Sequence, residues 1–295
     1  MSAHRRSIGG ALAGAVFTAV LTSSAAAQIP AGLPTEITAI RHNSGQPVIP
    51  YFEGWIKNAD GSFDMVFGYF NRNYVEEFAI PAGPDNRVEP GSVNQGQPTY
   101  FLPRRQRYVY RVRVPANFGK QELVWTITSN GRTEKAYGTL IPEEEITERV
   151  VMTNGNYDPG LDDPNRAPEI AVAPIARVSA GTPITLMAKV TDDGLPKPRP
   201  VAPEPPPPTT TGGFAAQRNS STTIRPPRGV TVTWLQYGGP AKVTFSHIGT
   251  IEVVDGQAIT TAVFPVPGTY TLVSTAADPG RLSTKTVVTV EIPSQ

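Results

Sequence analysis

Residues Gly229–Ser246 run GVTVTWLQYGGPAKVTFS. β-branched residues alternate through Val230, Val232 and Thr233. Gly238-Gly239-Pro240 then breaks the run, and Val243–Ser246 resumes it. The pattern predicts a strand, a tight turn and a returning strand. Trp234, in the first strand, has the size and setting to plug a core between two sheets. Around this segment the C-terminal half lays out as one β-sandwich, with further strands at Glu169–Val172, Ile184–Thr191, Ala258–Phe264, Gly268–Ala276 and Thr284–Ile292.

The N-terminal half reads the same way. Val48–Lys57 and Ser62–Phe70 flank Asn58-Ala59-Asp60-Gly61, and Leu123–Thr128 and Thr133–Leu140 flank Ser129-Asn130-Gly131-Arg132. Asn-Gly between two strands is a strong hairpin signal. Arg107–Val114 alternates, with Tyr108, Tyr110, Val112 and Val114 on one face and Arg107, Arg111 and Arg113 on the other, which predicts one wet side. About seven strands in roughly 100 residues is the pattern of an immunoglobulin-like sandwich. The expected fold class is all-β, two immunoglobulin-like β-sandwich domains in tandem.

Composition agrees. The 31 prolines and 27 glycines among 295 residues favour short strands and many turns. With no cysteine there is no disulfide, thiol chemistry or lipoprotein anchor. His4, Arg5 and Arg6, the apolar run Ile8–Leu21 and Ala25-Ala26-Ala27 make residues 1–27 a cleavable signal peptide, with a mature start at Gln28. Arg5-Arg6 has a twin-arginine look, and the general secretory route is preferred. Loss of Arg5 and Arg6 from the 26 basic residues, against 25 acidic ones, leaves a net charge near −1. That gives no general attraction to nucleic acid. The mature chain has no membrane span, and the expected place is the periplasm or the cell exterior. The expected division is 28–45 as an N-terminal arm, 46–141 as the first sandwich, 142–167 as an acidic Asx- and Gly-rich linker, and 168–295 as the second. Within the last, 196–227 holds ten prolines and reads as a disordered loop.

The second half resembles the PKD family of immunoglobulin-like domains. The resemblance is carried by Asn165-Arg166-Ala167-Pro168, Val190-Thr191-Asp192-Asp193-Gly194, Trp234, and Pro267-Gly268-Thr269-Tyr270-Thr271-Leu272 through Asp278. The family's W-x-F-G-D-G turn is replaced by Trp234-Leu235-Gln236-Tyr237-Gly238-Gly239. The resemblance implies a non-catalytic module of a surface or secreted protein that binds protein or polysaccharide. The first half resembles exported bacterial β-sandwich proteins of uncharacterised role.

Catalytic signatures are not legible. His42 and His247 are the histidines left after residue 27, and no nucleophile elbow accompanies them. Adjacent carboxylates such as Glu76-Glu77 and Asp192-Asp193 point to opposite faces of a strand. The leading expectation is therefore an adhesion or interaction module that is not an enzyme. The alternative is a carbohydrate-binding module, with a secreted hydrolase third. Two thirds of the aromatic residues fall between Tyr51 and Tyr137. A core will use Trp125, Phe67 and Tyr108, while Tyr74, Tyr100 and Phe101, in loops, are the candidate sugar-stacking residues. No cofactor is expected except calcium. Asn154, Asn156 and Asp158 stand two apart, and Asp162 and Asp163 follow. Calcium takes six to eight oxygens from such flexible segments, and Asp162–Pro168 looks like the calcium-binding linker of cadherin repeats. Pro159 stands where an EF-hand needs Gly, and Asx residues also make turns unaided. The metal-free reading is preferred.

Overall fold

The computed structural model describes residues 41–156, 163–197 and 229–294. The signal segment, most of the arm, all but the start of the proline-rich loop, and the calcium candidates Asp158 and Asp162 lie outside the described residues.

The first sandwich contains β1 (Val48–Lys57), β2 (Phe63–Asn71), β3 (Phe78–Ala79), β4 (Asn86–Glu89), β5 (Tyr100–Phe101), β6 (Arg104–Val114), β7 (Leu123–Ser129) and β8 (Arg132–Gly138). One sheet runs β1-β2-β6 and the other β4-β7-β8, with a small β3-β5 ladder beside them. Asn130 and Gly131 both take positive φ, 47° and 71°, as the predicted two-residue hairpin requires. Trp125 sits at the centre of the core, with the rings of Phe67, Phe101 and Tyr110 around it.

The second sandwich contains β9 (Glu169–Val172), β10 (Pro183–Thr191), β11 (Thr231–Gly238), β12 (Thr244–Phe245), β13 (Ile251–Glu252), β14 (Gln257–Val263), β15 (Gly268–Ala277) and β16 (Ser283–Ile292). Its sheets run β12-β14-β10-β9 and β13-β11-β15-β16. Read by strand position, both sandwiches use the immunoglobulin pairings, A-B-E in one sheet and C-F-G in the other. Tyr270, near the start of β15, donates its hydroxyl to the Val266 carbonyl at 2.9 Å. This is the tyrosine corner of such folds. Trp234 is buried between the sheets with Leu186, Phe264 and Leu272, as its setting predicts.

One local expectation fails. β11 and β12 do not form a hairpin, because they belong to opposite sheets. The buried Gln236 side chain decides this. Its Nε2 donates to the Ala241 carbonyl at 2.8 Å and its Oε1 accepts from the Val243 amide at 2.8 Å, so the chain arches over the end of the sandwich. Gly239, at φ 139°, lies so close to Tyr270 that a Cβ would meet the ring at 2.3 Å.

A second expectation fails on β6. The β2–β6 register jumps from Phe67↔Tyr110 to Tyr69↔Gln106, which leaves β6 with extra residues, and Tyr108 takes φ 50°. The bulge turns Tyr108 off the core face. It packs instead on the outer side of the sheet with Ile56, Val66 and Val151. That side is covered by the segment after β8. A 3₁₀ turn at Pro142–Glu144 leads into helix α1, Glu148–Met152, which is capped by Thr147. Trp55 Nε1 donates to the Ile141 carbonyl at 2.8 Å, and the Ile146 amide donates to the Trp55 carbonyl at 2.9 Å. Gly54, at φ 123°, admits this segment, since a Cβ there would lie 2.5 Å from the Glu144 carbonyl.

Alternation along β11 joins the two sandwiches. Val232, Trp234 and Gln236 face the second core. Leu235 and Tyr237 point the other way, and with Val273 of β15 they belong to the apolar cluster of the first sandwich. The Thr99 amide donates to the Tyr237 carbonyl at 2.8 Å, and the Gly239 amide to Thr99 Oγ1 at 3.3 Å.

Because Trp234 Nε1 is buried without a hydrogen-bond partner, its value to the fold is volume. Trp234→Ala should cost about 3–5 kcal/mol in urea unfolding, and Trp234→Phe less than half as much. Equal losses from the two variants would show that the indole N–H matters.

Candidate functional site

Between the sandwiches lies a cleft of about 770 Å³. One wall is the β6 stretch from Tyr108 to Arg111, with α1 at its side. The facing wall is the outer surface of β15 and β16. Period-2 alternation brings Thr269, Thr271 and Val273 from β15 and Lys285, Val287 and Thr289 from β16 to this one face. A loop around Gln97 closes one end. Gln97 is buried and clips that loop by donating to the Val93 and Asn86 carbonyls at 2.8 and 3.2 Å.

Lys285 crosses from one sandwich to the other. Its Nζ donates to the carbonyls of Arg107 and Tyr108, both at 3.1 Å. These carbonyls lie at the β6 bulge. Burial, reinforced by the charge of Arg111 and opposed by that of Glu53, pulls its pKa down from 10.5 to about 8. Arg111 is held by Glu148 through a fork, with Nη2 to Oε2 at 2.7 Å, and Asp64 lies 3.8 Å away. Asp64 also accepts from Arg113 and Asn58, both at 2.9 Å. Burial pushes the Asp64 carboxyl up, yet these donors and charges outweigh it and hold the group below its ordinary value. The Tyr110 side chain belongs to the first core, packed on Phe67 and Trp125; its hydroxyl is buried without a partner, and burial raises its pKa well above 10.

A second polar cluster caps the far sandwich, where the chain before β9, the loop after β10 and the turn after β15 meet. Asn165 Nδ2 donates to Asp278 Oδ2 at 2.8 Å, and Asp278 Oδ1 accepts from the Leu282 amide at 2.9 Å. Burial raises the Asp278 carboxyl, hydrogen bonds from Asn165 and Leu282 act against this, and the charge of Asp192 adds to it. Burial likewise raises Asp192, with the charge of Asp193 adding to the rise. Asn165 Oδ1 and Asp192 Oδ1 are buried and accept no hydrogen bond.

The structure disperses the candidates read from the sequence. Phe101 is fully buried beside Tyr69 and Trp125, so neither of its faces is open to a sugar. Tyr100 is 5% exposed and donates its hydroxyl to Glu77 Oε2 at 2.6 Å. Burial first and the Glu77 carboxylate second push that phenol up. Both residues therefore fail as a stacking platform, because the short β3-β5 ladder draws them into the core. Tyr74 is on the surface, but the Arg104 guanidinium lies over its ring at 4.0 Å. Asn154 and Asn156 serve the end of α1. Asn154 takes φ 53°, and Asn156 Nδ2 donates to the Thr153 carbonyl at 2.7 Å. Asp163 accepts from the Asn165 amide at 3.1 Å and pairs with Arg149 at 3.5 Å. Among the described residues no three Asp, Glu or His side chains form a metal-holding group. His42 is exposed, and His247 meets its own loop at the Thr250 carbonyl, 3.0 Å away.

No protein-family model matches the chain, and no curated protein matches it either. Among solved structures it is similar to the D00-D0 domain of intimin, at 11% identity and TM-score 0.27, over 84% of this chain and 100% of that one. It is also similar to the fibronectin(III)-like modules of Clostridium thermocellum CbhA, at 12% identity and TM-score 0.24, over 82% and 90% of the two chains. For the Yersinia pseudotuberculosis adhesin InvE the values are 11%, 0.24, 84% and 60%. Scores of this size assign no function, and the strand pairing itself defines the fold. Among the described residues no helix is long and apolar enough to cross a membrane.

Lys285 gives the joint a pH dependence. Its folded value, about 8, lies below the ordinary 10.5, so the unfolded chain holds the proton more tightly. Below about pH 8 the burial cost of the ammonium is present in full, and stability should rise with pH between about 8 and 10.5. The melting temperature of the native chain, taken relative to Lys285→Met, should climb through that window. Parallel pH profiles for the two proteins would contradict this.

Proposed function

We propose that this chain is an exported, non-catalytic interaction protein that receives its ligand in the cleft between its two sandwiches. The observation that carries this reading is the cleft itself, about 770 Å³, lined by both sandwiches and bridged by Lys285. Clefts at domain junctions with a few convergent polar groups are the usual place for ligands. Export is supported by the signal-like residues 1–27. The PKD resemblance of the second half, and the protein or surface-polysaccharide partner it implies, belong to this reading. A glycan and surface-protein array is the test. Thr271→Trp, which fills the cleft from β15, should abolish binding seen with the native protein, and full binding by that variant would place the ligand elsewhere. Turnover of a glycoside, peptide or ester that depends on His42 or His247 would favour a hydrolase instead.

A specific observation favours calcium as a structural ion, at other residues than the linker asparagines. Asn165 Oδ1 and Asp192 Oδ1 are buried acceptors without donors, and the carboxyl of Asp278 lies beside Asn165. Calcium accepts such mixed carboxylate and carboxamide oxygens together with backbone carbonyls. Millimolar calcium should raise the melting temperature relative to chelator by mass action, and Asp192→Asn should remove the rise. Identical melts with no heat of titration would end the calcium reading and leave the cleft reading untouched.

A further inference from the structure

We infer that the open end of the outer β1-β2-β6 face binds an acidic polysaccharide, a chain of repeated carboxylates, through a row of arginines fixed by aromatic rings. This surface lies outside the cleft lining, and its role does not rest on the cleft reading. The segment after β8 covers one end of the face at Ile56 and Val66. At the other end rings and guanidinium groups alternate. Arg105 lies over Tyr51 at 4.4 Å, Arg104 over Phe70 at 4.9 Å and over Tyr74 at 4.0 Å, and Arg41 over Tyr74 at 5.4 Å. Phe70 and Arg105 are paired across β2 and β6, so these contacts form one continuous row. Two backbone features maintain it. Neighbours along a strand face opposite sides, so Arg104 and Arg105 should part. Arg104 takes φ 69°, in the region that favours glycine, and its guanidinium comes back over Phe70. At Gly68 a Cβ would lie 2.9 Å from Arg105 Nη1, so the missing side chain lets Arg105 cross β2 to Glu53.

The row carries more positive charge than the fold uses. Glu53 pairs with Arg105 at 2.7 Å, but among the described residues no carboxylate forms an ion pair with Arg41, Arg72 or Arg104. The nearby carboxylates are turned elsewhere, Glu76 to the Gly45 amide and Asn130, and Glu77 to Tyr100 and Lys242. Arg104 gives one N–H to the Arg72 carbonyl at 3.3 Å, and the rest of its fork has no partner among the described residues. Arg41 and Arg72 are exposed. A guanidinium held on a ring is already oriented, so it loses little freedom on gripping a carboxylate with two parallel hydrogen bonds. The rings also select the class of polyanion. Single-stranded nucleic acid is held on open ring faces, and here guanidinium groups occupy them. A bilayer takes up apolar side chains, and these rings lie beneath charge. A row that crosses adjacent strands on a flat face suits an extended chain with a carboxylate on successive units.

The test titrates the mature chain by calorimetry at low salt with polygalacturonate, dextran, a single-stranded DNA oligonucleotide and phosphatidylglycerol vesicles. Polygalacturonate should bind saturably and dextran not at all, and the affinity should fall as salt is raised, because exposed charges are screened. Arg41→Gln combined with Arg72→Gln should weaken polygalacturonate roughly tenfold or more. Arg104→Lys, which keeps the charge and loses the fork, should weaken it several-fold. Thr271→Trp, which fills the cleft, should leave it unchanged. Failure of polygalacturonate to bind, or binding undiminished in the arginine variants, would overturn the row as a site. DNA or vesicles bound as tightly as polygalacturonate would overturn the polysaccharide class. Loss of binding in Thr271→Trp alone would move the acidic chain into the cleft, overturning the row and leaving the cleft reading standing. Should Arg104→Lys fail to fold, the exposed Arg41→Gln, Arg72→Gln pair carries the test.

Discussion

Burial of β11 on both faces is the constraint on which the rest of the molecule depends. An outer strand face of an antiparallel sandwich is usually wet. Here Trp234 and Val232 fill one core while Tyr237 and Leu235 complete another. The Tyr237 phenol is so far from water that burial pushes it up to about 12. The first sandwich thus has part of its core supplied from beyond residue 230. The cleft, the Lys285 bridge and the Glu77–Lys242 pair at 2.7 Å all lie along this joint. Lys242 is largely exposed, so that ion pair adds little. The apolar contacts and the Thr99–Tyr237 backbone bond hold the sandwiches together.

The segment after β8 shows the same economy of surface. Its acidic and Asx-rich composition reads as a free linker, yet it packs along β1 and covers Val66 and Ile56 with Val151. Arg111 and Arg113 lie on the exposed face that alternation assigns to them, and Asp64 and Glu148 engage them there. The joint between the sandwiches is therefore braced from the linker side as well, where Ser283 Oγ donates to the Met152 carbonyl at 2.7 Å.

Much of the fold was legible because period-2 patterning and turn chemistry are local. The hairpins at Asn58–Ser62 and Ser129–Arg132 and the core position of Trp234 all follow from neighbours in sequence. The rest depended on partners far along the chain. A bulge in β6 rotates Tyr108, Gln236 bends a turn into an arch, and Phe101 is buried by a two-residue ladder with Phe78. The cleft was not legible at all. Lys285 looks like an ordinary strand residue, and only the docking of two sandwiches brings its amine to the Arg107 and Tyr108 carbonyls. For Asn165, Asp192 and Asp278 the signal was present as motif residues, but their convergence came from tertiary structure.

A core shared through β11 requires the two sandwiches to unfold as one. Differential scanning calorimetry of the mature chain and of Tyr237→Ser measures this directly. A single transition is predicted for the native chain, with calorimetric and van't Hoff enthalpies in agreement. The variant should melt in two steps, with the first sandwich the less stable. Two independent transitions in the native chain, unchanged by Tyr237→Ser, would contradict the shared core.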